Sequence, residues 1–210
     1  MSTDTHQPVF TIGHSNLEFA KFAALLKQYG IQAVADVRSS PYSEYNPQFN
    51  REQLQRALQE KDISYVFLGE ELGARRSERE CYVNDRADYD LIARTPAFNS
   101  GVDRVVRGAA KMCIALMCSE KDPLDCHRCI LVSPRLRERG IPVLHILSDG
   151  RIENHEQLET RLLNLFELSD REFFRSRDEI VAEAYKLQGD KIAYREEETV
   201  LREKPPRYGN

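Results

Sequence analysis

The sequence lacks several features that would assign it to whole classes of protein. No apolar run approaches the roughly 20 residues that a membrane-spanning helix needs. The first residues carry neither a basic flank nor an apolar segment, so we expect no secretory signal, no membrane partner and a cytoplasmic location. A G-x-G-x-x-G motif is also missing, which argues against a dinucleotide-binding fingerprint.

An excess of positive charge is missing as well. The net charge is −4, and tight binding to an extended nucleic-acid duplex depends on many basic side chains. The charge leaves open a local basic pocket for a small anionic or nucleotide-like ligand, or for a nucleic-acid end. The five cysteines are an odd number and follow no export signal, so we interpret them as thiols rather than as a disulfide framework.

The sequence does contain a regular alternation of strands and helices. A chain of 210 residues with 41% hydrophobic residues fits one domain with appendages. Periodicity predicts strands over residues 9–13, 31–37, 63–68, 112–118 and 143–147, and helices over 16–29, 51–60, 96–110 and 125–139. This alternation predicts a Rossmann-like, three-layer α/β fold with a mostly parallel sheet of about five strands.

The part of the chain after Gly150 differs in pattern from the part before it. We expect no further strand there, only two amphipathic helices, over 156–168 and 177–188. Their apolar faces serve either the core or a homodimer contact. The predicted organisation is a disordered N-terminus, an α/β core domain, a helical extension packed on the core and a flexible tail, over residues 1–7, 8–150, 151–198 and 199–210.

Polar clusters follow three of the predicted strands. They are Gly13–Asn16 after the first strand, Asp36–Arg38 at the end of the second and Cys118–Glu120 at the end of the fourth. In an open parallel sheet, ligands bind outside the carboxyl ends of the strands, where the strand order reverses. The three clusters are therefore predicted to form one site.

The first cluster has a catalytic and a structural interpretation. Gly13 lets the backbone turn or approach a ligand closely, and a helix beginning here would suit an anion. His14 is a candidate catalytic residue and Ser15 a candidate ligand-binding residue. Alternatively, Ser15 and Asn16 simply cap the first helix, since serine and asparagine are good N-caps.

The second cluster likewise has two interpretations. Asp36 is a candidate general base, metal ligand or orienting partner. Arg38 is a candidate ligand for carboxylate or phosphate, which its planar guanidinium binds through two hydrogen bonds. A purely structural Asp36–Arg38 ion pair is the alternative.

The segment from Cys118 to Arg128 indicates reactive-thiol chemistry most strongly. Asp125 is a predicted N-cap that would place Cys126, His127 and Arg128 in the first helical turn. A helix N-terminus and an adjacent arginine both lower a thiol pKa, which makes Cys126 a candidate nucleophile. His127 and Glu120 are candidate proton carriers.

Three other interpretations of these cysteines stay open. Cys126 can be an ordinary packed thiol. Cys126 and Cys129 form a C-x-x-C pair that could cycle between redox states, and together with Cys118 and His127 they could surround zinc. The spacing matches no familiar zinc module, so we assign no metal and no cofactor to the site.

The irregular stretch over residues 69–95 has the length of a functional lid or binding loop. We expect nearby loops to cover the site with side chains that suit a nucleobase or phosphate, or that are merely solvated: Tyr42, Tyr45, Arg75, Arg76 and Arg79. His145, in the fifth strand, is interpreted as a satisfied core histidine.

Five sequence motifs occur in order along the chain: Thr11–Asn16, Ala35–Arg38 with Pro41, Leu68–Gly73, Ala115–Arg128 and Val143–Gly150. Together they resemble the uncharacterised domain of unknown function family numbered 488, over roughly residues 8 to 165. The resemblance implies a Rossmann-like fold and carries over no catalytic assignment. Cys129 departs from the family pattern, which weakens the C-x-x-C and zinc interpretations.

The leading hypothesis is an enzyme, a hydrolase or transferase with a cysteine nucleophile, acting on a phosphorylated or nucleotide-like ligand. The alternatives are a non-catalytic module that binds a nucleotide or nucleic-acid end, and a zinc or thiol redox site. The predicted catalytic residues are His14, Asp36, Glu120, Cys126 and His127, and the predicted ligand-binding residues are Gly13, Ser15, Arg38, Cys118 and Arg128.

Overall fold

A computed structural model describes residues 7–169 and 174–196 of the chain. The predicted disordered N-terminus, apart from residue 7, and the predicted flexible tail lie outside the described residues. The strands are β1 Val9–Gly13, β2 Ala33–Asp36, β3 Ser64–Phe67, β4 Tyr82–Val83, β5 Arg86–Ala87, β6 Ile114–Cys118, β7 Val143–Ile146 and β8 Ile152–Asn154. The α-helices are α1 Phe19–Gln28, α2 Arg51–Gln59, α3 Gly69–Leu72, α4 Tyr89–Arg94, α5 Pro96–Ala109, α6 Ser133–Glu138, α7 His155–Leu165 and α8 Arg177–Ile192.

One sheet organises the chain, with strand order β3-β2-β6-β1-β7-β8. Its first five members pair in parallel, and β8 pairs antiparallel with β7. The chain runs from β1 outward to β2 and β3, and then returns so that β6 lies between β1 and β2. The predicted Rossmann-like α/β fold with a mostly parallel sheet is confirmed.

The expectation that no strand follows Gly150 is wrong. Gly150 adopts a φ of +86°, and its N–H group donates to the carbonyl of Leu147 at 2.9 Å. This turn reverses the chain so that Ile152 pairs with Ile146, which adds β8 as a sixth strand. A strand of three residues is too short to show the alternation from which strands are predicted.

Successive strand residues pack on opposite faces of the sheet, as the two-residue period of a strand requires. On one face, Phe10 and Ile12 pack with Phe22 of α1. On the other face, Val9 packs with Val102 of α5. Helices therefore cover both faces, and no helix in the described residues is long and apolar enough to cross a membrane.

The stretch over residues 69–95 is more regular than predicted. It contains the short helices α3 and α4 and the hairpin β4–β5. Cys81, which lies in this stretch, is fully buried in the core that packs beneath α5. The segment is thus anchored to the domain through its own apolar side chains.

Helices α7 and α8 form a further packed cluster with the helical turn that follows Cys126. Leu158 and Leu162 of α7 contact Ile180 and Ala184 of α8, and all four side chains are fully buried. Both helices begin with a capping box, in which a cap side chain and the third helical residue satisfy each other's backbone N–H groups. Both helices are therefore integral parts of the packed structure, with buried apolar faces and satisfied N-terminal N–H groups.

Shortening a buried leucine of this cluster tests how much stability it contributes. We expect Leu162→Ala to lower the free energy of unfolding by about 2–5 kcal/mol, because it removes buried methyl groups and leaves a cavity. Leu165→Ala is the matched control on the same helix, with a side chain 47% exposed and an expected change within about 0.5 kcal/mol. Urea unfolding measures both, and equal effects would contradict the packing described here.

Candidate functional site

The predicted adjacency of the three strand ends is confirmed. Gly13 at the end of β1 pairs with Cys118 at the end of β6, and Asp36 of β2 pairs with Met117 on the other side. The pairing continues beyond the strand, since the N–H group of His14 donates to the Cys118 carbonyl at 2.9 Å. The polar residues after these strands consequently occupy one edge of the sheet.

Gly13 permits a close backbone approach at this edge. A Cβ atom on Gly13 would lie 1.8 Å from the carbonyl oxygen of Glu120, closer than any side chain allows. The same Cβ would lie 3.0 Å from a guanidinium nitrogen of Arg128. Glycine is therefore needed here so that the loop after β6 can pack against the loop after β1.

The alternative interpretation of the first cluster, in which Ser15 and Asn16 cap α1, is wrong. The helix begins three residues later, at Phe19, and its N-cap Glu18 makes no side-chain capping bond. Ser15 adopts a left-handed backbone with a φ of 46°, and its N–H group donates to the Ser119 carbonyl at 2.8 Å. Pairing with the neighbouring loop thus takes the place of helix capping.

Asp36 and Arg38 form a buried, doubly hydrogen-bonded ion pair. Arg38 donates from Nε to Oδ1 at 2.9 Å and from Nη2 to Oδ2 at 2.6 Å. The carboxylate also accepts from the Tyr65 hydroxyl at 2.8 Å, and Nη2 donates to the Phe49 carbonyl at 2.8 Å. The paired face of the guanidinium, which was predicted to bind a ligand, is occupied by Asp36.

His14 is held as a neutral imidazole behind this pair. Its Nδ1 lies 2.8 Å from the carbonyl of Ser15, which can only accept, so Nδ1 carries the proton. Its Nε2 lies 3.2 Å from Nη1 of Arg38, which can only donate, and the ring stacks on Phe49 with centroids 4.2 Å apart. Burial, together with the charge of Arg38, lowers the pKa of His14 to about 4.

The predicted N-cap at Asp125 is wrong. Asp122 instead caps a single 3₁₀ turn, Pro123–Asp125, and Cys126 then adopts an extended backbone with φ −136° and ψ 137°. The Cys126 carbonyl accepts the first helical hydrogen bond, from the Ile130 N–H group at 3.0 Å. Cys126 therefore lies at the start of the helix rather than inside its first turn.

The helix that starts after Cys126 opens with a π-helical turn over Arg128–Val132 and continues as α6. Single π turns are rare and occur often at functional sites. The predicted helix over 125–139 is thus present in most of its length, with a different beginning.

Two sulfur atoms and an imidazole converge at this point. His127 donates from Nε2 to the Val37 carbonyl at 2.9 Å, so in the neutral ring Nδ1 is unprotonated. Nδ1 lies 3.7 Å from Sγ of Cys118 and 4.0 Å from Sγ of Cys126. The three donor atoms all lie within 4.8 Å of one another.

The two thiols differ in how readily they ionise. Burial acts to raise the pKa of Cys126, but the interaction with Cys118, the charge of Arg128 and the contact with His127 together lower it well below its ordinary value. The interaction with Cys126, followed by burial, raises the pKa of Cys118 well above its ordinary value. Cys126 is therefore the thiol of the pair that ionises more readily.

Arg128 is the buried cation that favours this thiolate. Its side chain is 1% exposed, and in the described part of the chain it forms no ion pair with a carboxylate. Its Nη1 donates to the carbonyl of Glu120 at 2.9 Å, which supplies a dipole but no charge. An uncompensated buried guanidinium is costly, so a nearby anion such as the Cys126 thiolate stabilises it.

A cavity of about 450 Å³ opens above the two thiols. Glu120 lies at its wall, where burial and the neighbouring Cys126 raise the pKa of its carboxyl group. The lining comes from the loops after β2, α3 and β6, from the start of α4 and from the end of α8: Arg38, Ser39, Ser40, Tyr42, Ser43, Ala74, Arg75, Tyr89, Cys118, Ser119, Glu120, Asp125, Cys126, His127, Ile192, Ala193 and Tyr194.

The sequence-predicted residues therefore divide into two groups. Those that line the cavity are Arg38, Cys118, Glu120, Cys126 and His127, joined by Tyr42 and Arg75 from the covering loops. The others lie behind or beside that lining: Gly13, His14, Ser15, Asp36, Arg128, Tyr45, Arg76 and Arg79.

Several lining residues are absent from the sequence-based prediction, among them three serines and the end of α8. The serines between Arg38 and Tyr45 could have been found, because they directly follow a predicted site strand. Ile192 to Tyr194, at the end of α8, carry no local signal. Only the tertiary packing of α8 brings them to a site formed by strand ends more than 70 residues earlier in the chain.

The pKa of His14 predicts a dependence of stability on pH. Unfolded histidine titrates near 6.5 and folded His14 near 4, so the unfolded state binds the proton more readily, and stability falls as the pH drops through that window. We expect wild type to lose about 3 kcal/mol more than His14→Asn between these pH values. Urea unfolding across the window measures the difference, and parallel curves would contradict a neutral, buried His14.

Comparison with known proteins places the chain in a family. The profile described as "Domain of unknown function DUF488" matches residues 18–133, which is more than half of the chain and includes Asp36, Arg38, Cys118 and Cys126. No curated protein and no solved structure gives a significant match. The chain therefore belongs to the DUF488 family of domains of unknown function.

Proposed function

We propose that this chain is an enzyme that acts on a phosphorylated or nucleotide-like ligand, with Cys126 as its nucleophile. The observation that carries the proposal is the position of the Cys126 sulfur. It lies at the start of a helix, below a polar cavity, with His127 beside it and the buried charge of Arg128 behind it. Each of these features favours a thiolate, which is the nucleophilic form of cysteine.

Cys118 contributes to the same activation. Its sulfur lies within 4.8 Å of the Cys126 sulfur, and its pKa is raised by the interaction with Cys126 and by burial, so Cys118 keeps its own proton more readily. His127 is fixed by the Val37 carbonyl so that Nδ1 faces both sulfurs. Both groups therefore favour the thiolate form of Cys126.

The cavity suits a small anionic ligand. Its volume of about 450 Å³ lies within the usual range for small-molecule sites. Arg75 is exposed, and its guanidinium lies 4.9 Å from the centre of the Tyr194 ring, which leaves its hydrogen-bond donors available at the rim. Hydroxyl groups from Ser39, Ser40 and Ser43 add neutral donors to the lining.

The proposed reaction is the transfer of a phosphoryl group through the thiolate. The Cys126 sulfur attacks phosphorus and forms an S–P bond, while the P–O bond to the leaving group breaks with its electron pair. The leaving oxygen takes the proton of Glu120, whose raised pKa suits a proton donor. Water, deprotonated by the Glu120 carboxylate, then attacks phosphorus and regenerates the thiolate.

Asp36 and His14 act as positioning residues in this proposal. Asp36 binds two nitrogens of Arg38, and His14 contacts a third. Together they fix the direction of the guanidinium where it meets the cavity. Neither side chain is part of the cavity lining, so we assign both to orientation rather than to proton transfer.

The first test is the alkylation of wild-type protein by iodoacetamide below the ordinary thiol pKa. We expect Cys126 to be modified before the other cysteines, because only its pKa is lowered among the thiols with a resolved shift. Mass spectrometry of short reagent pulses identifies the modified residue. Cys113→Ser is the matched control, and a Cys126 that reacts no faster than Cys113 would remove the nucleophile from the proposal.

Substitution of Arg128 tests the source of the thiolate. We expect Arg128→Met, which removes the charge at similar length, to slow alkylation of Cys126 at neutral pH about ten-fold. Arg128→Lys keeps the charge and should retain most of the rate. Circular dichroism checks that both variants are folded, and equal rates in the two variants would show that charge at this position is not what activates Cys126.

Turnover is tested with a panel of small organic phosphate esters and nucleotides. We expect wild type to hydrolyse a member of this panel, and Cys126→Ser and Cys126→Ala to bind it without turnover, as detected by thermal shift. Binding by wild type without turnover, with divalent metals supplied, would favour the alternative of a nucleotide-binding module.

The same three side chains support a second candidate function, a metal-dependent one. The donor atoms of Cys118, Cys126 and His127 lie within 4.8 Å of one another, and the His127 Nε2–H group donates to a carbonyl, as metal-bound histidines commonly do. An ion bound here would engage both thiolates. The rate of Cys126 alkylation would then rise sharply on addition of a chelator, whereas the rate for a free thiolate would not change.

A further inference from the structure

A second cluster of metal-ligating side chains lies in the core, outside the cavity described above. It consists of Cys129, His145 and His155, all of which are at most 1% exposed. Their donor atoms all lie within 4.8 Å of one another. We propose that these three residues bind a divalent transition metal of the zinc type.

The spacing of the two imidazoles fits a shared ion. Nε2 of His145 lies 3.0 Å from Nδ1 of His155, which is a hydrogen-bond distance between the two rings. Zinc binds imidazole nitrogen at about 2.0–2.1 Å, so two nitrogens on one tetrahedral ion are about 3.3 Å apart. The rings therefore need to separate by only a few tenths of an ångström to admit the ion.

The outer nitrogen of each ring already has a partner of the kind that orients metal-bound histidines. Nδ1 of His145 lies 2.8 Å from the Thr11 hydroxyl, and Nε2 of His155 lies 2.8 Å from the Tyr185 hydroxyl. A carboxylate oxygen of Glu159 lies 3.9 Å from the same Nε2. A hydroxyl oxygen can accept a hydrogen bond from the outer nitrogen, so these partners are compatible with the tautomer in which the inner nitrogen binds metal.

A candidate fourth ligand lies on the adjacent strand. Glu153 of β8 is directly opposite His145 of β7 in the antiparallel pair, so the two side chains leave the sheet on the same face. Its Oε1 pairs with Arg161 at 3.2 Å. Its Oε2 is buried and has no hydrogen-bond partner in the described part of the chain, but it lies outside the 4.8 Å group of the other three donor atoms, so its side chain would have to move to reach a bound ion.

Metal binding changes the protonation of the three ligands in a defined way. Binding of one divalent ion releases the Cys129 thiol proton to solvent, and each imidazole stays neutral. The proton that one inner nitrogen holds in the ring-to-ring hydrogen bond moves to the outer nitrogen of the same ring, so that in the metal-bound form His145 donates to Thr11 and His155 donates to Tyr185. The thiolate cancels one of the two positive charges of the ion.

The site would join three elements that are distant in sequence. Cys129 lies in the π-helical turn next to Arg128, His145 lies in β7, and His155 begins α7. An ion held by all three fixes α7 to the sheet. It also fixes the turn that places Arg128 beside the Cys126 thiolate.

The test separates this site from the cavity thiols. In a Cys118→Ser/Cys126→Ser background, we expect the protein to bind one equivalent of Zn²⁺. With Co²⁺ we expect a thiolate-to-metal charge-transfer absorption, since Cys129 is then the thiol in the cluster. Both signals should disappear with the further substitution Cys129→Ser or His155→Gln, whereas Cys113→Ser should retain them.

Tyr185→Phe should weaken Zn²⁺ binding about ten-fold, because it removes the hydroxyl group that contacts the outer nitrogen of His155.

A background variant that binds neither ion would overturn the proposal, because its cluster is intact. If the Cys129→Ser variant fails to fold, the test still stands, because metal binding by the background variant is measured with Cys129 present. Zn²⁺ binding that survives both Cys129→Ser and His155→Gln would overturn the proposal equally. The outcome is independent of the nucleophile, because Cys126 is absent from the background throughout.

Discussion

The site depends on one buried charge, the guanidinium of Arg128. A cation without a carboxylate partner in the interior is unfavourable unless dipoles and an anion surround it. Here the Glu120 carbonyl supplies a dipole, and the sulfur of Cys126 is the group that can become an anion. The absence of a side chain at Gly13 leaves room for both the loop and the guanidinium. The pKa of the Cys126 thiol is therefore lowered by the buried charge of Arg128 beside it, and not by a property of cysteine itself.

Arg38 and Arg128 lie at the same edge of the sheet and carry the same guanidinium group, but their different surroundings give them different roles. Arg38 is neutralised by Asp36 through two hydrogen bonds, and it also contacts His14. Its main effect is therefore to hold the strand end and His14 in place. Arg128 has no such partner among the described residues, so its charge acts on the neighbouring thiols. One arginine consequently orients the site and the other sets its electrostatics.

The helical turn that begins after Cys126 connects the two halves of the molecule. Cys126 and His127 face the cavity, while Cys129, three residues further on, faces the core between the sheet and α7. Residues three apart in a regular helix share a face, but Cys126 has an extended backbone at the start of the turn, so the two cysteines contribute to different clusters. The packing of α7 and α8 closes the core around Cys129, and the end of α8 also reaches the cavity lining. The C-terminal helices therefore take part in both regions.

The sequence by itself determined the fold class, the first strand to the residue and the meeting of three strand ends, because strand and helix periods are local and a parallel sheet gathers its carboxyl ends at one edge. Tertiary structure decided the rest. Pairing with the loop after β6 overrode the capping of α1 by Ser15, and a separate 3₁₀ turn displaced the cap from Asp125. The approach of His145 and His155 to Cys129 joins segments with no common local pattern. Such contacts depend on packing between elements that are distant in sequence, so a local sequence pattern does not predict them.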